Sequence, residues 1–180
     1  MALVCRRTRS GGLAHLPAAA KPLHVSCAAD DLDGDGLRDI ITTKSSNETN
    51  LAVYRNTTVD PTNVQFSAAN VNISVTSRNI TCSDLNGDGK AEIIFGRNDT
   101  GNRNFVYVLS NNSTVGNISF GSNSQLLLPT GDNAIRMLVN DLDFDGKPDI
   151  LVTNSSNNEM SIFKHSRLGA TRRFLTSPIK

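Results

Sequence analysis

A nine-residue pattern that returns three times constrains this chain more than any other feature. It reads DLDGDGLRD at residues 31–39, DLNGDGKAE at 84–92 and DLDFDGKPD at 141–149. Positions 1, 3, 5 and 9 carry side-chain oxygens in every copy: Asp31, Asp33, Asp35 and Asp39, then Asp84, Asn86, Asp88 and Glu92, then Asp141, Asp143, Asp145 and Asp149. Position 6 is always glycine (Gly36, Gly89, Gly146). Oxygens crowded at alternate positions around a glycine turn are what a hard cation needs, and Ca²⁺ tolerates their irregular geometry better than Mg²⁺. The position-7 backbone carbonyls of Leu37, Lys90 and Lys147 are expected to join the same ligand set, as in other calcium loops. The expectation is one Ca²⁺ per loop, up to three in the chain.

Two other readings of such a loop compete with this one. Asp, Asn and Gly are the commonest turn residues, so a single DxDG is often only a solvated turn. A lone D-x-D-G after an apolar run also occurs in haloacid-dehalogenase phosphatases, with Thr or Val at position 5. Here position 5 is Asp in all three copies, and repetition argues against both. An EF-hand is excluded by position 12, which is Thr42, Phe95 or Val152 rather than a bidentate Glu. Directly after position 9 comes a short β-branched or apolar run: Ile40-Ile41, Ile93-Ile94-Phe95 and Ile150-Leu151-Val152. Such runs signal strands, so the loop joins strand to strand.

The net charge of +1 hides a segregation, because eleven of the 17 acidic residues lie in the three loops. Loops of that charge repel themselves unless a cation sits in them. The basic residues are scattered apart from the two ends, which is no nucleic-acid footprint. No apolar run approaches the roughly 20 residues of a membrane helix. Cys27 and Cys82 lie at even offsets before Asp31 and Asp84, so they are expected on the same strand face, as buried free thiols rather than a disulfide.

Residues 1–23 hold no acid, four basic residues and a Gly/Ala/Pro-rich middle. They lack the apolar stretch of a secretory signal and are expected to form a disordered tail. From His24 onward a unit repeats: short strand, loop, second strand, polar connector, third strand, turn and fourth strand. The first strands are expected at 23–28, 79–82 and 134–139. The second strands lack period-2 alternation, which suits strands covered on both faces. In the third strands Leu51 and Val53, Val106 and Val108, and Met160 and Ile162 share a face. Each unit ends near a phenylalanine, and Phe66, Phe120 and Phe174 are spaced 54 apart in both intervals. The units are 24–77, 78–133 and 134–180, with the last allowed to be incomplete. Four strands in such a length make a β-propeller blade, which needs a neighbour on each side to bury its faces. The fold class expected is all-β: three four-stranded antiparallel blades of a partial propeller or a fragment of a larger one. Ile40, Ile93, Ile150 and the phenylalanines are expected as core between blades.

The pattern D-L-[DN]-x-D-G-x-x-[DE], its aliphatic pair, its Asn/Ser connector and a subsequent V-x-[RSK]-[NH] strand resemble the FG-GAP/VCBS repeat family. That family includes the calcium-binding blades of the integrin α-subunit propeller and many bacterial surface or secreted proteins. The resemblance spans about residues 24–180 and implies one calcium loop between the first two strands of each blade. It also implies an extracellular, cell-surface or periplasmic setting, where millimolar calcium fills weak sites. The Gly-Ala-Pro part of the integrin-type signature does not occur: SAAN comes after Phe66, GSNS after Phe120 and LTSP after Phe174. That favours the bacterial VCBS-like branch. Phe144 stands at position 4, where the other copies have Gly34 and Gly87, so the third loop should carry an exposed ring or an altered turn. Asn86 leaves the second loop one charge short, so it is expected to bind calcium more weakly than the others.

The function implied is a calcium-stabilised module for adhesion or for binding a protein or carbohydrate, with the ion in a structural role. Its partners would be that ligand and further blades from a parent chain or another copy, with no nucleic acid and no membrane span. Enzymatic activity, such as that of a polysaccharide lyase, and a purely architectural role are the alternatives. No catalytic constellation is evident: His15, His24 and His165 belong to no G-x-S-x-G or H-E-x-x-H motif, and there is no Gly-rich phosphate loop.

Overall fold

The computed structural model describes residues 2–4, 26–43, 50–72, 77–97, 105–121, 126–129, 134–154, 159–166 and 173–179. Every regular element among them is a strand. The first sheet contains β1 (Ala2–Val4), β2 (Cys27–Asp30), β3 (Asp39–Thr43), β4 (Asn50–Asn56) and β5 (Gln65–Asn72). The second contains β6 (Ser77–Ser83), β7 (Glu92–Arg97), β8 (Phe105–Leu109) and β9 (Leu126–Pro129). The third contains β10 (Ala134–Asn140), β11 (Asp149–Asn154), β12 (Glu159–Ser166) and β13 (Arg173–Ile179). From β2 onward, consecutive strands pair antiparallel within each sheet, giving three blades, and β6 lies against both β2 and β10. The all-β blade architecture read from the sequence is therefore the observed one.

Register confirms that one unit is copied. Asn56 pairs with Phe66, Asn111 with Phe120 and His165 with Phe174, so each phenylalanine marks the same rung beside the end of the third strand. In the second blade that rung is an isolated bridge, and the fourth strand forms only later, at β9. The N-terminal segment departs from expectation at one point: Ala2–Val4 pair with β5 as a fifth strand rather than belonging to a disordered tail. The rest of 1–23 lies outside the described residues.

The cores sit between blades because a strand's alternate side chains point to opposite faces. Leu32, Ile41, Leu51 and Val53 of the first blade pack against Ile80, Ile93, Phe95, Tyr107 and Leu109 of the second. The Phe95 and Tyr107 rings stack at 5.2 Å. The opposite face of the second blade, with Leu85, Ile94, Val106 and Val108, packs against Ile150, Val152 and Phe163 of the third. Hence β7 is apolar at three successive positions, Ile93, Ile94 and Phe95, all fully buried. It is a strand covered on both sides.

Burial at the outer blades obeys the same logic. Ile93 and Ile150 face back toward the preceding blade and are fully buried, whereas Ile40, on the face turned away from the second blade, is only half-buried. The expectation that all three are core between blades therefore holds for two of them. Leu32 and Leu85, at loop position 2, are 0% and 1% exposed, whereas their counterpart Leu142 is 38% exposed. Among the described residues nothing covers the third blade's outer face, where Leu138 is also exposed. Cys27 and Cys82 repeat the contrast: both are free, yet Cys82 packs into the first core while Cys27 is exposed. The burial expected for Cys27 is not observed, because among the described residues no blade packs on that side of the first sheet. Burial pushes the Cys82 thiol well above its ordinary pKa, so it stays protonated and inert.

Candidate metal centre

Each loop turns because its glycines adopt left-handed backbone. Gly36, Gly89 and Gly146 have φ of 85, 84 and 83°, and Gly34 and Gly87 at position 4 have 80 and 78°. Phe144 holds the same turn at φ 60° with its ring 93% exposed. A β-carbon there crowds the next carbonyl, and the exposed ring gains no packing in return. Phe144→Gly is expected to raise stability by about 1 kcal/mol, read as a higher thermal midpoint at unchanged calcium concentration. An unchanged or lower midpoint would mean that the ring has support from elsewhere.

The position-1 carboxylates organise the turn from inside. Asp31 accepts N–H bonds from Gly34 (2.8 Å), Asp35 (3.2 Å) and Gly36 (2.8 Å). Asp84 does the same with Asn86, Gly87 and Gly89, and Asp141 with Asp145 and Gly146. Position 9 ties the loop to the sheet. Asp39 accepts from Leu32 N–H at 3.0 Å and Asn56 N–H at 2.7 Å, and Asp149 from Leu142 N–H at 3.2 Å and His165 N–H at 2.8 Å. Glu92 accepts from Leu85 N–H at 2.8 Å. The position-7 N–H groups of Leu37, Lys90 and Lys147 each donate to the position-5 carboxylate at 2.9 Å.

These bonds gather two acidic sets. Oxygens of Asp31, Asp33 and Asp39 lie within 4.8 Å of one another, as do those of Asp141, Asp143 and Asp149. Asp35 and Asp145 stand outside the sets. Carboxylate oxygens converging from positions 1, 3 and 9 fit a hard cation such as calcium, which takes oxygen ligands and tolerates irregular angles. Among the described residues Asp84, Asp88 and Glu92 form no such set. There the Asn86 amide lies between two of them, donating to Asp88 and Glu92 at 3.0 Å each.

Basic side chains from the third strands complete the sites, a role that the spacing of the loop motif alone does not assign. Arg55 on β4 donates from Nε to Asp33 and from its second terminal nitrogen to Asp35 at 2.7 Å. Lys164 on β12 donates to Asp143 at 2.9 Å. Both occupy the [RSK] place of the repeated third-strand pattern, where the second blade has Ser110. The second blade also reaches back to the first loop: Gly116 N–H donates to Asp33 at 2.8 Å, and the Asn111 amide donates to the carbonyls of Leu32 and Ala91 at 2.8 Å each. Gly116 has φ 87°, the conformation that the hairpin tip Thr114–Asn117 requires.

Electrostatics within the first loop are split. Burial alone would raise the Asp33 carboxyl, but the Arg55 hydrogen bond, the Gly116 N–H and the guanidinium charge hold it below the ordinary Asp value. Asp39 is pushed up, chiefly by burial and further by the charges of Asp33 and Asp35, against the pull of its two N–H donors. Ionised Asp39 thus costs stability at neutral pH, and that cost fades as pH falls between the raised and the ordinary value. Asp33 runs the other way: its contribution is lost as pH falls through its depressed value. The hydrogen bond and charge of Lys164 likewise hold Asp143 low.

Comparison with known families matches the FG-GAP-like repeat at residues 31–95 and again at 84–152. Each match opens on a loop and ends within the second strand of the next blade, so the two together cover more than half of the chain. No curated protein matches the sequence. No helix among the described residues is long and apolar enough to cross a membrane.

Proposed function

The chain belongs to the FG-GAP-like repeat family, and from that premise we propose that it is a calcium-binding propeller module that recognises a protein or carbohydrate partner. The observation that carries the calcium reading is the convergence of three carboxylates within 4.8 Å at Asp31, Asp33 and Asp39 and again at Asp141, Asp143 and Asp149. Asp35, Asp145 and the carbonyls of Leu37 and Lys147 stand in the same loops to complete those shells, and the second loop offers Asp84, Asn86, Asp88, Glu92 and the Lys90 carbonyl. The bound ion would neutralise acidic clusters that each join the first two strands of a blade, which couples metal binding to folding.

Binding rather than catalysis is favoured because the acidic set of the first blade recurs in the third, whereas a catalytic site is ordinarily unique. Phe144 supports recognition: a strained, fully presented aromatic ring at a loop tip is costly to keep without a contact to make. The setting we infer is extracellular, cell-surface or periplasmic, because loops of this kind fill at the calcium concentrations found there. A further sheet, from a longer chain or a second copy, would cover Leu138 and Leu142.

Calorimetric titration of chelator-treated protein with calcium, with circular dichroism at both end points, tests the reading. Saturable uptake with a gain in β signal or thermal midpoint is expected. A folded chain that takes up no calcium would reduce the loops to turns.

A further inference from the structure

The third strands supply a cation to the loops in a pattern that tracks the loops' own composition. Where position 3 is Asp33 the strand offers Arg55, where it is Asp143 the strand offers Lys164, and where it is Asn86 the strand offers uncharged Ser110. The matching residue changes with the charge it meets, blade by blade. With those partners included, the first and third loops have four carboxylates and one contacting cation, and the second has three carboxylates and no cation from its third strand. Net charge is then equal, and the expectation that the second loop binds calcium most weakly loses its basis.

The loops differ in how the cation is held. The Lys164–Asp143 pair is solvent-exposed, with side chains 49% and 37% accessible, and a flexible ammonium there is easily displaced. Asn86 is held by its own hydrogen bonds, its oxygen accepting the Asp88 N–H at 2.8 Å and its amide donating to Asp88 and Glu92. It is nonetheless an uncharged side chain in an exposed turn and brings no cation to displace. Arg55 is different: its planar fork spans two carboxylates, its side chain is 22% accessible, and Asp33 is fully buried. Guanidinium stays charged at any pH the protein meets, and a forked charge-assisted pair is among the stronger hydrogen-bonded contacts. Asp33 is further fixed by the Gly116 N–H of the next blade.

We propose that Arg55 is the resident cation of the first loop, holding Asp33 and Asp35 in place without a metal and putting that loop last in the order of calcium uptake. The order of uptake rests on the calcium reading, but the holding role does not. Calcium entering the first loop must displace a fork that is already satisfied, and must leave a half-buried guanidinium to find other partners.

The test compares the full chain with Arg55→Met and Arg55→Lys, by calorimetric calcium titration and by thermal melting in chelator and in excess calcium. The unaltered chain should show one site at least about tenfold weaker than the others, the factor that one charged hydrogen bond is worth. Arg55→Met should bring that site into the range of the rest. In chelator it should also lower the thermal midpoint by about 5 °C or more, with much of the loss restored by calcium. Arg55→Lys, which keeps the charge without the fork, should fall between, and it keeps the comparison open if Arg55→Met folds only with calcium present. An Arg55→Met midpoint unchanged in chelator overturns the proposal, as does a weak site that the substitution does not tighten. If no variant binds calcium and Arg55→Met still melts early in chelator, the calcium reading fails while the holding role of Arg55 stands.

Discussion

Trimming Leu32 or Leu85 to alanine is expected to destabilise the fold by about 3 kcal/mol each, while the same trim at Leu142 costs under about 1 kcal/mol. The three residues hold the same place in the same repeated sequence, so side-chain chemistry and local backbone cancel in the comparison. The difference lies in the neighbour. Leu32 is part of the core between the first and second blades, and Leu85 of the core between the second and third. Truncation there leaves a void that rigid sheets on both sides cannot close, so the cavity cost adds to the lost transfer energy. Leu142 is already 38% exposed and has little such contact to lose. Urea midpoints for the three variants, at fixed calcium, make the measurement. Equal losses at all three positions would show that Leu142 is covered in solution, by another copy or another sheet.

The second large effect is expected from Asp39→Asn, a change of one atom that keeps the volume. Asp39 is fully buried, and its two oxygens accept the Leu32 and Asn56 N–H groups, one each. An amide can accept only one of them. Its NH₂ must face the other donor, leaving a buried N–H unpaired, and the expected cost is about 2–3 kcal/mol. Part of the loss is offset, because burial and the charges of Asp33 and Asp35 already make ionised Asp39 unfavourable. Denaturant unfolding in chelator isolates this loss from any effect on metal. Asp31→Asn in parallel tests the locality of the argument: its N–H partners lie in an exposed turn that water can reach, so it should lose less. If Asp39→Asn is neutral in chelator, position 9 acts only through a bound ion.

Much of this architecture was legible in the sequence, because each feature is a local pattern that repeats. Asp/Gly spacing sets the turn, the apolar pairs after position 9 set the second strand, and phenylalanine spacing sets the blade length. The rung that pairs Asn56 with Phe66 recurs as Asn111 with Phe120 and His165 with Phe174. Cores between blades were expected and found at Ile93 and Ile150, but the differences set by which blade stands next to which escaped. Ile40 and Ile93 are the same residue in the same repeat, yet among the described residues only Ile93 has a preceding blade to face. Arg55 was visible as part of a strand pattern but meets Asp33 across 22 residues, through a strand pairing that motif spacing does not report. The signal that would have found it was present: the charge at loop position 3 and the charge on the third strand change together across the three repeats. Setting the copies against one another, position by position, exposes a contact that no single copy reveals.

The reach of the second blade into the first loop has a consequence in time. Asp33 waits for a partner 83 residues downstream, at Gly116, and the Leu32 carbonyl for one 79 residues downstream, at Asn111. On a ribosome adding about 5–20 residues per second, that is a delay of roughly 4–17 s after the first loop emerges. Arg55 comes within 22 residues of Asp33 and needs only the first blade's own hairpin. The chain therefore carries a short-range contact that can secure its earliest acidic loop within seconds, and a long-range one that joins it when the next blade docks. Synthesis from the N terminus and blade-by-blade stacking proceed in the same direction, with the second blade closing over the loop made before it.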